Sequence, residues 1–569
     1  MKHLVDELLD VARGTPDVVA LRWFGGRDGG RVREEMTFGG LAERVERTAA
    51  ALRAQGMEPG DRVLFSIRPR PEGVVLCLAV LRAGGAVVFV DPGSTPELFA
   101  ARIAAARPRW AATEALLYAA SSGPLRGIAR SRGLLLPDYG RLPVRHLYTG
   151  RWLPGVPRGA HRVGRLGRVV PGAVRAPEEV AGADGEALIV FTSGTTSDPK
   201  AVVHTARTLG GMLDLFARVG DLRPGQRAHT DQMFLGLPAI IAGGTWEIPA
   251  KAPKDAPEAF ARGVAGADSS FLVPADVTAL LDVLEAGSST GPPPSAAGPA
   301  VLAVGAAPVT VALLERGRRV LPGTRWLAVY GATEILPAAV TDADEKIAAA
   351  AAGDLVGRPL GGIGVRIDAA AARDSEDSGD RPGSEAVADS AGPDDEREVG
   401  ELVLTGPSLM AGYLSDLDAG GARAVEHRTG DLAYQDAEGR IVLVGRNRDM
   451  IIRGTVNIYP GLFEPRLREL PGVADAVLVG VPVPDGDERV VLVVTAEGSI
   501  RDADASPVVR AGTELARTVA DQVAQVLDHG ALPDLVVEAT HVPVAGRSRK
   551  PDRRALVNLV SPLTGTVRA

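Results

Sequence analysis

The sequence predicts an α/β protein: a large N-terminal domain of layered α/β subdomains, followed by a small α+β C-terminal domain. Three observations carry this. The opening ~130 residues alternate helical and strand periodicity. After Arg446 the pattern changes to paired strands with one amphipathic helix. The chain has 569 residues, more than one core usually organises at roughly 100–200 residues per domain. The domains are expected at 1–445 and 446–569.

In chain order, Leu41–Gln55 has helix periodicity and stops near Gly56, and Asp61–Ile67 is strand-like. Glu72–Ala83 reads as a helix closed by Gly84 and Gly85, and Ala86–Pro92 as the next strand. This βαβ rhythm implies parallel strands with helices on the sheet faces. Residues 120–180 are rich in Arg, Gly and Pro and read as irregular. Strands are expected at Glu186–Gly194, Ser269–Ala275, Ala300–Ala306 and Arg325–Gly331. Between Arg373 and Glu398, ten acids face three arginines among Ser, Gly and Pro. Such a stretch cannot bury enough apolar surface to offset its ordering entropy, so 373–398 is expected to be a mobile surface insertion. Gly400–Gly406 and Gly439–Gly445 restore strand patterning. Ala476–Val494 reads as two strands around a polar turn, and Glu514–Leu527 as a helix.

Composition narrows the function. Apolar residues make up 45% and charged residues 24%, the balance of a soluble globular chain. Aromatics are 4%, so the cores must be mostly Val, Leu and Ala. A net charge of −8 gives no electrostatic footprint for nucleic acid. The single cysteine, Cys77, lies in the apolar run Val74–Leu81 and excludes an internal disulfide or a multi-cysteine zinc site. The N-terminal segment is acidic and amphipathic rather than a signal peptide. No run reaches the ~18–20 apolar residues of a membrane span. A cytoplasmic enzyme is the expectation.

The segment Phe191–Lys200, FTSGTTSDPK, ends a hydrophobic strand in hydroxyls, a glycine and a lysine. Gly194 permits close backbone approach; Thr192, Ser193, Thr195 and Thr196 offer hydroxyls, and Lys200 adds positive charge. Physically this is a loop able to wrap polyphosphate. It lacks the Walker A pattern. On composition alone, a plain solvated loop explains it equally well.

The decapeptide resembles the phosphate loop of the adenylate-forming superfamily, which includes acyl-CoA synthetases, peptide-synthetase adenylation domains and luciferases. Further resemblances follow in the family's order: Tyr330–Glu334 (YGATE), Gly400–Leu414, Arg428–Arg446, Asp449–Glu464 and Lys550–Leu556 (KPDRRAL). The resemblance implies ATP-dependent activation of a carboxylic acid to acyl-AMP, then transfer of the acyl group. By it, Thr192–Thr196 and Lys200 would hold the β- and γ-phosphates, and Thr333 the α-phosphate. Glu334 would help bind Mg²⁺. Tyr330, Gly331 and Ala332 would lie against adenine, with Gly305, Ala306, Ala307 and Pro308 as the opposite wall. Asp431, with Arg446, would hold the ribose hydroxyls. Lys550 would bridge the carboxylate substrate and the ribose–phosphate region, and Arg448 would be the hinge of a rotating C-terminal domain. Each residue also has an ordinary explanation: Asp431 as a turn residue, Glu334 as a helix-start acid, Arg446 as a surface charge, Lys550 as part of a solvated basic run.

The acyl pocket is expected around Met233, Phe234, Gly236, Ile335 and Leu336, apolar enough for a fatty or similar acid. In the segment where many acyl-CoA synthetases carry a histidine, Asp231, Gln232 and Phe234 stand instead, with His229 earlier. The acceptor is expected to be CoA or another pantetheine thiol, such as that of a carrier protein. Thr455 replaces a common glycine of the thiol-arm loop. Tyr330–Val340 and Gly353–Gly362 also resemble β-lactone synthetases, in which the substrate's own β-hydroxyl attacks. A third reading is a non-catalytic nucleotide-binding homologue.

Overall fold

The computed structural model describes residues 3–26, 29–90, 96–131, 136–166, 182–191, 200–287, 298–307, 309–349, 354–368, 399–446, 451–453, 456–458, 460–483, 487–497, 507–527, 531–545 and 550–564. The architecture is mixed α/β, as the sequence predicts. Two large sheets and one smaller sheet carry it, with two short two-stranded ribbons.

The larger sheet has thirteen strands. Six neighbours, Val19–Gly25, Thr245–Ile248, Arg227–His229, Ser269–Leu272, Val301–Val304 and Arg325–Ala332, run parallel. At Arg325–Ala332 the pairing changes: Ile335–Asp342 returns antiparallel, and Asp354–Pro359, Ile441–Arg446, His427–Gln435, Gly400–Thr405 and Gly364–Asp368 follow in antiparallel order. The second sheet has eight strands. Glu186–Phe191 lies parallel to Ala86–Phe89, and then Ala201–Thr205 turns back antiparallel. The smaller sheet thus changes from parallel to antiparallel between Glu186–Phe191 and Ala201–Thr205, and the larger one at Thr333–Glu334 as well as at its far edge, where Arg31–Thr37 pairs antiparallel with Val19–Gly25. Open parallel sheets bind ligands at the carboxyl ends of their strands.

A single apolar core joins the two sheets. It draws Phe65, Val87 and Trp110 from the smaller sheet, and Leu21, Ala228 and Trp246 from the larger one. The helices Leu4–Gly14, Phe38–Ala54, Pro71–Arg82, Ala206–Val219 and Met233–Ile241 fill the space between. Pro71–Arg82 is buried along nearly its whole length, so its sequence is apolar all round rather than striped. Cys77 is fully buried there, and burial pushes its thiol up to about 12. It is packing, not chemistry.

Several sequence expectations are corrected. Residues 120–180 are not uniformly irregular: Arg126–Ser131 is helical, and Arg145–Thr149 is a strand parallel to Trp110–Glu114. Ser269–Ala275 ends as a strand at Leu272, because Pro274 opens the helix Pro274–Ala286. The strand expected from Gly439 begins at Ile441, since Asp436 accepts hydrogen bonds from the backbone of Glu438 and Arg440 and closes a turn. The helix from Glu514 ends at Gln522 and tightens into a 3₁₀ turn, Val523–Gln525. The expected insertion at 373–398 lies outside the described residues.

Beyond residue 450 a four-stranded sheet forms from Val473–Pro482, Glu488–Ala496, Leu535–Ala539 and Val509–Ala511. Ile451, Leu467 and Leu478 pack on one of its cores, and Leu556 and Val560 of the helix Arg553–Thr564 on the other. This is the α+β module that the sequence expects.

No described helix is long and apolar enough to cross a membrane.

Candidate functional site

The Thr333–Glu334 turn has a single strand in and a single strand out, and three other segments converge on it. His204, on Ala201–Thr205 of the smaller sheet, donates its Nε2–H to the Thr333 carbonyl at 2.9 Å. The carbonyl can only accept, which fixes the tautomer. Met410 N–H donates to the Glu334 carbonyl at 2.7 Å, and Ala411 N–H donates to Val203 O at 2.7 Å. The segment Leu409–Tyr413 thus ties the two sheets together at the turn.

Glu334 is not at a helix start. Its Oε1 accepts a hydrogen bond from Tyr413 Oη at 3.0 Å, and its Oε2 lies 4.0 Å from His427 Nε2. Lys200 Nζ stands 5.0 Å from the centre of the Tyr413 ring. A cation at that distance over a tyrosine face is attracted by the ring quadrupole. One tyrosine therefore links the two charged residues expected to serve the phosphates and the metal.

Asp431 is not a turn residue either. It lies on His427–Gln435, 8% exposed, and its backbone is in register with Arg446 on the neighbouring strand. Asp431 Oδ2 accepts the Tyr330 hydroxyl at 2.5 Å. Tyr330 is half-buried at the end of Arg325–Ala332. His427 lies between the acids: burial lowers its pKa, and the charges of Glu334, Asp431 and Glu401 oppose that. Burial likewise lowers that of His204.

On the next strand, Gly305 is in close contact: a Cβ there would lie 2.9 Å from Val329 O and 3.2 Å from Phe271 Cζ. Ala306 has φ +66, which an L-residue adopts at a cost of about 1 kcal/mol or more. Such outliers gather at functional sites. Ala307 follows, partly buried.

A small cavity lies between the helix Ala206–Val219 and the parallel strands of the larger sheet. Phe216, Leu235, Phe271 and Ala303 line it, with the hydroxyls of Thr230 and Ser270. Of the expected acyl residues, Phe234 and Leu336 are partly buried against the main core. Met233 and Ile335 are core residues, at 7% and 0% exposure. Gly236 is packed against Trp246, where an added Cβ would overlap the indole.

Thr192, Ser193, Gly194, Thr195, Thr196, Pro308, Arg448 and Thr455 lie outside the described residues. Lys550 pairs with Ala545 in a short ribbon, and its side chain is outside the described part. The sequence did not single out Tyr413, His204, His427 or Phe271. The first lies inside the quoted Gly400–Leu414 segment, which was its only signal.

Among the described residues no three His, Cys, Asp or Glu side chains cluster as a metal site. A lone carboxylate such as Glu334 suits Mg²⁺ carried on a polyphosphate, since that ion takes one or two carboxylates and completes its shell with phosphates and water.

Comparison with known proteins agrees with this geometry. An olefin β-lactone synthetase of Xanthomonas campestris pv. campestris is 29% identical over 86% of each chain. A fatty acid–[acyl-carrier-protein] ligase, MmaC, of Mycobacterium marinum is 28% identical, covering 95% of this chain and 94% of its own. The amide bond synthetase McbA of Marinactinospora thermotolerans superposes with a TM-score of 0.71 at 24% identity, over 98% of this chain and 99% of that one, a likeness of fold. The family described as AMP-binding enzyme matches residues 8–414, and with well over half of its length matched this chain belongs to that family.

Proposed function

We propose that this enzyme activates an apolar carboxylic acid as its acyl-AMP, releasing pyrophosphate, and then passes the acyl group to CoA or another pantetheine thiol. The observation that carries the first step is the meeting of Lys200, Tyr413, Glu334, Tyr330 and Asp431 around the two parallel-to-antiparallel loops. Such chemistry needs positioning and charge neutralisation more than a covalent group. In this reading Lys200 and the loop Thr192–Thr196 hold the outer phosphates, Thr333 the inner one, and Glu334 the Mg²⁺. That ion would neutralise charge on the phosphate oxygens. Asp431 receives the ribose hydroxyls, together with Arg446, and Gly305–Pro308 and Tyr330–Ala332 flank the base. The acyl chain lies against Phe234 and Leu336, the two expected pocket residues that stay partly buried. Lys550 completes the site from a C-terminal domain beginning at residue 446, which turns about Arg448.

The similarity to an olefin β-lactone synthetase favours a second reading of the final step, closure of a β-hydroxy acid through its own hydroxyl. The adenylation half is the same in both. The test is pyrophosphate release with a panel of acids, followed by mass spectrometry of the products with and without CoA. A CoA-dependent thioester supports the first reading; a CoA-independent product one water lighter than the 3-hydroxy acid supports the second. No pyrophosphate release with any acid would sink both.

A further inference from the structure

Although the chain carries −8 overall, residues 121–168 hold ten arginines and one aspartate. Not all of these arginines face solvent, since Arg145 stacks on Trp110 and Arg162 Nε is buried, but the described loops of this segment pack together. The turn after the helix Ala115–Ser121 packs on the loop after Arg145–Thr149 so closely that a Cβ on Gly123 would stand 2.4 Å from the Pro154 carbonyl oxygen. Ser122 donates its hydroxyl to Asp138, and Gly140 N–H donates to Ser122 Oγ at 2.8 Å. Three loops are therefore fastened together.

Large apolar side chains stand out from this region. Trp152 is 60% exposed, Ile128 52%, Leu125 36%, and Leu116 on the preceding helix 53%. Leu125 and Ile128 are three residues apart at the start of Arg126–Ser131, one turn of helix. Arg141, Arg151 and Arg158 are exposed around them. The lone acid, Asp138, already faces both Arg126 at 3.5 Å and Arg141 at 3.3 Å. Arg151 and Arg158 form no ion pair with any described residue. An exposed tryptophan and branched aliphatics in an arginine-rich segment fit the boundary of a bilayer: the apolar groups enter among the acyl chains and the guanidinium heads stay at the anionic headgroups.

We propose that this surface docks the enzyme on an anionic lipid bilayer. The charge selects the lipid. A zwitterionic surface offers nothing to an arginine-rich rim, whereas each basic residue near an anionic leaflet adds about 1 kcal/mol. The surface stands on its own evidence and needs no assumption about the acyl-adenylate reaction.

The test is flotation of the full chain with phosphatidylglycerol-containing vesicles and with phosphatidylcholine vesicles, without ATP or acid. Selective binding to the anionic vesicles is expected, weakening as salt is raised. Tryptophan emission should shift to the blue, because Trp152 is exposed while Trp110, Trp246 and Trp326 are buried and Trp23 is partly covered beneath Arg70. Arg141→Glu/Arg151→Glu/Arg158→Glu should lower vesicle affinity by about a hundredfold or more, at roughly fivefold per arginine lost. Trp152→Ser/Ile128→Ser should abolish the emission shift. Both variants should keep the parent's thermal melt and its pyrophosphate release with a water-soluble acid. Equal affinity for both vesicle types, no binding to either, or a triple variant within twofold of the parent would overturn the proposal. So would capture by an acidic protein without vesicle binding.

Discussion

Tyr413 reaches Glu334 from a strand, Gly412–Tyr413, that pairs with the smaller sheet, while Glu334 belongs to the larger one. Tyr413→Phe keeps the ring over Lys200 and removes the hydroxyl that bonds Glu334. Losing such a bond costs about 1.5–3 kcal/mol. Pyrophosphate-release kcat/KM for ATP should therefore fall roughly tenfold to a hundredfold, with a higher Mg²⁺ requirement and a nearly unchanged melt. An unaltered Mg²⁺ dependence would refute the link. Asp431→Ala should weaken ATP binding at least tenfold by calorimetry; unchanged affinity would remove Asp431 from the ribose. Asp231 offers a stability test. Burial raises its pKa from 3.8 to about 6, helped by the nearby charges of Asp276 and Asp255. The folded protein therefore binds this proton more tightly than the unfolded chain does. Below pH 3.8 the group is neutral in both states and costs nothing; above about 6 it is charged in both, and the fold bears the burial penalty. Two pKa units correspond to about 3 kcal/mol, an upper bound for a half-buried group. Asp231→Asn should thus raise the melting temperature at alkaline pH and leave it unchanged in acid. Equal shifts at both extremes would contradict this assignment.

Elements were legible where their burial shows in the sequence. Leu41–Gln55, Glu72–Ala83 and the strand near Asp61 stand within about three residues of the observed Phe38–Ala54, Pro71–Arg82 and Arg62–Ser66. Residues 120–180 failed for a physical reason. The helices Ala115–Ser121 and Arg126–Ser131 are seven and six residues long, too short to display a period. The strand Arg145–Thr149 opens on Arg and His and is recognised only by its pairing with Trp110–Glu114. The same limit applies to the site. Its linear motifs were readable, but His204 with Thr333 and Tyr413 with Glu334 are contacts across 129 and 79 positions, invisible to local pattern. Gly236 is a case where the sequence named the right residue for a different job. It lets Met233–Ile241 lie on Trp246, and a Cβ there would fall 1.9 Å from Trp246 Cε2. Gly236→Ala should cost about 1–3 kcal/mol through overpacking, seen as a lower melting temperature. A melt like the parent's would show that the helix can shift.

At the scale of the whole molecule, the edge of the larger sheet is a hairpin, Gly364–Asp368 with Gly400–Thr405, in which Asp368 stands opposite Glu401. Arg428 holds both ends, bonding Asp368 at 2.8 Å and Glu401 at 2.7 Å. Asp368 and Glu401, on either side of the acidic stretch in sequence, are paired neighbours in the sheet. Replacing 369–398 by a short glycine turn should leave activity intact and the melting temperature equal or slightly higher, since each halving of a loop recovers about 0.6 kcal/mol. Loss of adenylation in the shortened protein would give the acidic stretch a catalytic part. The hairpin also has a practical use. The first described helix packs Leu4, Val5 and Leu8 into the main core, and the last packs Leu556 and Val560 against the small sheet. A junction already clamped on both sides by one arginine is a port for a fusion. A fluorescent domain spliced there would travel with the large sheet and report, by energy transfer to a dye on the four-stranded module, whether that module turns between the two half-reactions.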